Sequence, residues 1–169
     1  NDILNNIRLC VIECKTGVFK FHIDVDLETK TELKNEEKDT LQKNITNSMK
    51  PFLVNAKSGR CISIMACAPS KKKEEDTIKT GIHIVYPNLC VSAHEALLIR
   101  ENIISDLTFK YTEDYTLKGW DSAIDAAVYI GSGLRMIGSI KVSQCPHCNK
   151  RTVETCGHCA GTGKYYEER

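Results

Sequence analysis

The run Phe21-His22-Ile23-Asp24-Val25-Asp26-Leu27 constrains the fold more than any other stretch of this chain. It is an apolar, strand-like run with two carboxylates placed two residues apart. Side chains alternate along a strand with period two, so Asp24 and Asp26 point to the same face. Two like charges held that close repel each other and raise a pKa unless a cation lies between them. A divalent metal resolves the repulsion, because Mg²⁺ and Mn²⁺ prefer hard carboxylate oxygens. The plain alternative is a strand end with two solvated acids. A lone D-x-D is common enough to leave that alternative ahead, so the decision falls to the rest of the chain.

A chain of 169 residues suits one domain with a small appendage and can bury a real core. Net charge is +1, so no bulk pull on nucleic acid is visible, and such binding would need a local basic face. No apolar run approaches the ~20 residues of a membrane span. No signal peptide is recognisable, and no membrane partner is expected. The chain lacks an initiating Met and opens in mid-pattern, as an excised piece of a longer protein would. Of its nine cysteines, Cys10, Cys14, Cys61, Cys67 and Cys90 are scattered within apolar runs. They read as buried free thiols of a reducing intracellular compartment, cytoplasm or nucleus.

Residues 7–14 read as a strand, and Thr16-Gly17 turns into a second strand over residues 18–27. Residues 28–50 carry Leu33, Leu41, Ile45 and Met49 at helical spacing and predict an amphipathic helix that Pro51 ends or kinks. Residues 60–68 and 81–86 read as strands closed by Pro69 and Pro87, with a charged mobile loop at 70–76 between them. Ser92 with Glu95 forms a capping box that opens a helix to about residue 107. Residues 134–142 are a further strand candidate, and composition shifts to Cys, Gly, His and charge from Ser143.

Three separated features need one explanation. The first is Asp24-x-Asp26. The second is Lys79-Thr80-Gly81-Ile82-His83, where Lys79, Gly81 and His83 share one strand face. The third is Ile124-Asp125, followed by Val128-Tyr129, Arg135 and Lys141. A strand face bearing Lys and His is a poor core and a good anion site. Asp125 would complete a carboxylate cage for two metals, the equipment for in-line attack on phosphorus. Basic groups opposite would neutralise a triphosphate as charge moves to pyrophosphate.

This ordered set resembles the archaeo-eukaryotic primase superfamily, whose motifs are an acid pair on a strand, a small-x-His on a strand and an apolar-Asp. KTGIHIVYP and IDAAVYIGSGLRMIGSIK are similar to primase–polymerases and to primase domains of primase–helicases from large nucleocytoplasmic DNA viruses. The resemblance covers roughly residues 18–160. It implies that Asp24, Asp26 and Asp125 bind Mg²⁺ or Mn²⁺. It implies that Lys79, Gly81 and His83 meet the incoming nucleotide's phosphates, and that Arg135 and Lys141 add phosphate or template contacts. Gly81 departs from relatives that have Ser there; a backbone N–H can still serve. A further basic residue, often supplied N-terminally in relatives, would fall to Arg8 or Lys20. The resemblance also implies a helicase in the same parent chain and a viral replication site.

Cys145-Pro-His-Cys148 and Cys156-Gly-His-Cys159 stand seven residues apart, strong zinc spacing. Four thiolates close a tetrahedron with no open position, so the zinc would be structural, with His147 and His158 outside its ligand set. The single C-x-x-C-x-G-x-G unit does not make a chaperone zinc domain. Gly161-Thr162-Gly163-Lys164 fails the phosphate-loop pattern, with His158 and Tyr165 at the failing positions.

The expected fold is α+β: a mixed or antiparallel RRM-like sheet flanked by helices, with a C-terminal zinc knuckle. Residues 1–142 form the catalytic core and 143–169 the knuckle and tail. The expected activity is that of a DNA primase or DNA-directed polymerase, joining nucleoside triphosphates along a single-stranded DNA template by two-metal catalysis. Tyr129, Trp120 and Tyr165 are the candidates for stacking on template bases. The rivals are a metal-dependent nuclease and a zinc-bearing single-strand-binding module without catalysis.

Overall fold

The acid-bearing run forms one edge of an antiparallel sheet whose apolar face is the core. The computed structural model describes residues 16–53, 62–73, 76–112, 115–131, 133–135, 141–148, 156 and 164–167. The strand expected at residues 7–14 lies outside them. The chain divides into two compact units, Cys14–Leu134 and Asn1–Glu13 with Arg135–Arg169.

In the larger unit, β1 (Phe19–Thr29) pairs antiparallel with β4 (Ile78–Val91). On the other side of β4 lie two short strands, β2 (Ile64–Cys67) and β3 (Lys71–Lys72). Period two sorts the side chains. Phe21, Ile23, Val25 and Leu27 of β1 and Ile82, Ile84 and Tyr86 of β4 are fully buried. Helix α1 (Asn35–Ser48) presents Leu41 and Ile45 to the same core, and α2 (Ala93–Lys110) presents Ala96, Ile99, Ile103 and Leu107. The expected helix at 28–50 therefore starts later, because β1 runs on to Thr29. The Glu37 carboxylate reaches back to the Lys34 N–H at 2.7 Å and fixes the start of α1. Pro51 sits in a 3₁₀ turn, Lys50–Phe52, directly after α1. The capping box of α2 is as expected: Ser92 N–H donates to Glu95 Oε2 at 2.7 Å, and Ser92 Oγ accepts from Glu95 N–H at 3.3 Å.

Pro87 does not stop its strand. Lys20 faces Cys90 and Phe21 faces Tyr86, so Pro87, Asn88 and Leu89 bulge out of the β1 ladder. A residue without an N–H is tolerated where ladder bonds are already interrupted. Beyond the bulge, Cys90 is exposed, as is Cys67 at the end of the short outer strand β2. The expectation of burial fails for these two thiols because neither lies under the helices' core. Cys10, Cys14 and Cys61 lie outside the described residues. The 70–76 stretch is not simply a loop, since Lys71 and Lys72 pair with Lys79 and Ile78.

The other edge of β1 is closed by the chain that follows α2. Helices α3 (Gly119–Ala123) and α4 (Ala127–Ile130) flank a single bridge between Val25 and Ile124. Leu117 N–H donates to Glu28 C=O, Asp125 N–H to Asp24 C=O, and Tyr129 Oη–H to His22 C=O. These bonds occupy backbone acceptors that an open edge would leave bare. Tyr129 and Trp120 are 1% and 5% exposed, so they are core residues and not stacking platforms. The Tyr129 ring stacks on Phe21 with centroids 6.0 Å apart, and burial pushes its hydroxyl's pKa upward. No helix among the described residues is long and apolar enough to cross a membrane.

In the smaller unit, β5 (Lys141–Gln144) and β6 (Lys164–Glu167) form an antiparallel pair. Its described part includes Cys145, Cys148 and Cys156.

Candidate active site and cysteine cluster

The face of the sheet opposite the core carries the chemistry, and the strand register decides which groups meet. Asp24 faces His83, which faces Ala66; Asp26 faces Gly81; Glu28 faces Lys79, which faces Lys71. The even residues of β1 and the odd residues of β4 thus form rows across one surface. His83 Nε2 lies 3.0 Å from Asp24 Oδ1, and Lys79 Nζ donates to Asp26 Oδ2 at 2.7 Å. The diagonal step from Lys79 to Asp26 spans the long lysine side chain.

Gly81 leaves this surface low beside Asp26. A Cβ there would sit 3.5 Å from Asp26 Oδ1 and 3.8 Å from the Ala68 Cβ, ordinary contacts. The backbone does not demand glycine at this point, and a serine would fit.

Asp125 joins the acids through the backbone. Its N–H donates to Asp24 C=O at 3.0 Å, and its Oδ1 accepts from Ala127 N–H at 2.8 Å. The second bond is a turn into α4, the capping role that a lone Asp often plays. The donor set fits a hard divalent cation: two carboxylates share a face and a third is tied to the same strand. In this structure Asp24 is paired with His83 and Asp26 with Lys79. Among the described residues, Asp24, Asp26 and Asp125 are not a group whose ligand atoms all lie within 4.8 Å of one another.

Glu28 continues the D-x-D alternation one step further and was not foreseen. Its side chain is only 10% exposed, and both Lys73 and Lys118 bond to it. These bonds, with Lys73 first, hold its carboxyl below the ordinary value of 4.5. Lys73 and Lys118 are thereby gathered at Glu28, beside the Lys79–Asp26 pair, and Lys71 is the ladder partner of Lys79. The signal was available in the alternation Asp24, Asp26, Glu28; the lysines come from distant positions that only the register brings together. A carboxyl with a depressed folded pKa stabilises fully above its unfolded value and loses that contribution as pH falls through the folded value. Stability should therefore decline as pH drops below about 4.5, and Glu28→Gln should flatten that slope. Urea unfolding of both proteins between pH 6 and pH 3 checks this, and parallel slopes would exclude it.

Arg100 was also unforeseen. It lies on the buried face of α2 and bonds the Ile124 carbonyl through Nε at 2.9 Å. An arginine within an apolar helical stripe was the signal.

Lys20 is exposed, Arg135 is half-buried in the smaller unit, and Lys141 opens β5 with its backbone paired to Glu167. Arg8 lies outside the described residues. In the smaller unit, Cys145 and Cys148 are 1% and 5% exposed, and Cys156 is half-buried. Their sulfurs lie within 4.8 Å of one another, and Cys145 and Cys156 Sγ are 3.9 Å apart. That convergence can hold a metal ion, and soft thiolates favour zinc. Cys159, the expected fourth ligand, lies outside the described residues, as does His158. His147 is exposed.

A family model described as the C962R protein N-terminal AEP domain, AEP denoting archaeo-eukaryotic primase, matches residues 1–152. No curated protein and no solved structure matches the chain.

Proposed function

The chain belongs to the family of C962R N-terminal archaeo-eukaryotic primase domains, and on that footing we propose that it is a DNA primase or primase–polymerase. The observation that carries this reading is the convergence of three separated motifs on one strand pair. Asp24 and Asp26 meet His83 and Lys79 across the ladder, and Asp125 is bonded to the Asp24 carbonyl.

The reaction would be attack of a primer hydroxyl on the α-phosphate of a nucleoside triphosphate, with pyrophosphate leaving. Asp24, Asp26 and Asp125 would hold Mg²⁺ or Mn²⁺, which when bound would activate the hydroxyl and neutralise the phosphates. His83 and Lys79, now paired with the acids, would turn their N–H groups to the triphosphate. The low surface at Gly81 would let the nucleotide approach Asp26 closely. Lys71, Lys73 and Lys118 would extend the positive field toward the leaving pyrophosphate. Arg135 and Lys141 would contact phosphate or the single-stranded DNA template.

Residues 1–142 would form an RRM-like catalytic core. Residues 143–169 would form a knuckle whose Cys145, Cys148, Cys156 and Cys159 bind structural zinc. A helicase in the parent chain and a reducing intracellular site complete the proposal.

The test is incorporation of labelled nucleotide on single-stranded DNA, with pyrophosphate release and DNA cleavage measured in parallel. Metal-dependent extension with pyrophosphate release is expected. Cleavage of labelled DNA without pyrophosphate would replace this reading with a nuclease. Binding without either reaction would replace it with a binding module.

A further inference from the structure

The peptide unit that joins Ile124 to Asp125 is held at both ends. Its N–H, from Asp125, donates to Asp24 C=O at 3.0 Å. Its C=O, from Ile124, accepts from Arg100 Nε at 2.9 Å. A planar peptide with both polar groups engaged by different elements has no freedom to rotate. The Cα of Asp125 follows that plane, so its orientation is set from α2 on one side and β1 on the other.

The rest of the guanidinium is engaged as well, by groups at the surface. Nη2 donates to Asp121 C=O at 2.6 Å and to Asp121 Oδ1 at 2.9 Å, and Nη1 donates to Glu101 Oε1 at 2.7 Å. The Arg100 side chain is 7% exposed, whereas Glu101 and Asp121 are 64% and 80% exposed. Desolvating a guanidinium is costly, and a fold that needed only apolar packing would place Leu or Met here. The planar fork of arginine can grip the two carbonyls at once; the ammonium of lysine lacks that geometry.

We infer that Arg100 is a positioning residue for Asp125, fixing the third acid beside Asp24 by holding the Ile124 carbonyl. This rests on the reading of Asp125 as a metal ligand. Removing a partner that orients a ligand typically weakens metal binding about 10–100-fold.

The test compares Arg100→Lys with Asp121→Asn and Glu101→Gln. Mn²⁺ affinity is read from the spin resonance of free Mn²⁺, and amide exchange at Asp125 by NMR. Arg100→Lys should weaken Mn²⁺ about 10–100-fold and speed Asp125 amide exchange. The other two variants remove exposed partners and should leave both readouts unchanged. If Arg100→Lys lowers stability while Mn²⁺ affinity and Asp125 exchange stay at wild-type values, Arg100 is merely structural and the inference falls. It also falls if the wild-type acids bind no Mn²⁺. If Arg100→Lys does not fold, the wild-type Arg100 Nε–H decides: slow solvent exchange supports the inference, and exchange as fast as in an exposed arginine overturns it. Wild-type protein that binds Mn²⁺ at the acids, responds to Arg100→Lys and makes no product would sink the polymerase reading alone.

Discussion

Asp24→Asn/Asp26→Asn should lower metal-dependent nucleotide incorporation about a thousandfold while leaving the fold intact. The two acids share one face of β1, and amides in their place keep the shape but lose the charge that attracts a divalent ion. Metal stabilisation of a phosphoryl transition state is worth several kcal/mol. About 4 kcal/mol corresponds to about a thousandfold in rate. Stability should change little. Both acids are partly exposed and paired to side chains at the surface, where an ion pair contributes roughly 0–1 kcal/mol. The measurement is incorporation on single-stranded DNA with Mn²⁺ or Mg²⁺, beside thermal unfolding and an Asp39→Asn control at an exposed helical site. Product at wild-type rates from the double variant would remove these acids from the chemistry. Loss of both product and cooperative unfolding would show that they hold the fold instead.

Period-two alternation was enough to put Asp24 with Asp26, and Lys79 with Gly81 and His83. It could not say which strand lay beside which, or in what register. That followed from apolar partners across the core, such as Ile23 with Ile84 and Val25 with Ile82, which draw Asp24 to His83 on the reverse face. Pro87 read as a terminator because a proline breaks a ladder; the bulge at 87–89 absorbs the missing N–H and lets β4 continue. Tyr129 and Trp120 stand as stacking candidates in the sequence because nothing there separates a core aromatic from a surface one. Packing used them first, and Tyr129 spends its hydroxyl on a carbonyl at the edge of β1. Arg100 was hidden for another reason. Its place in an apolar helical stripe marks it as unusual, but its bonds to the Ile124 and Asp121 carbonyls, beside the Asp121 and Glu101 carboxylates, are not written in any residue pattern.

The cysteine cluster should give the other large effect. The purified protein is expected to carry about one zinc per chain, and Cys145→Ser/Cys148→Ser to carry none. Two buried thiols and a third within 4.8 Å can hold a metal ion, and the C-x2-C spacing would supply Cys159 as a fourth ligand. Structural zinc binding is worth about 10–16 kcal/mol at neutral pH. The sequence between β5 and β6 is poor in apolar residues. Metal loss should therefore unfold this segment while the β1–β4 core, built from its own cluster of apolar residues, keeps its melting transition. Replacement of zinc by Co²⁺ gives a direct reading, since thiolate ligation produces strong visible and near-ultraviolet absorption. The double variant should lose that absorption, and Cys67→Ser, at an exposed thiol of β2, should not. The Mn²⁺ binding proposed for Asp24, Asp26 and Asp125 should survive in the double variant, because hard and soft ligands would form separate sites. Full zinc content without Cys145 and Cys148 would place the metal on other ligands and remove the reason for the C-x2-C pair.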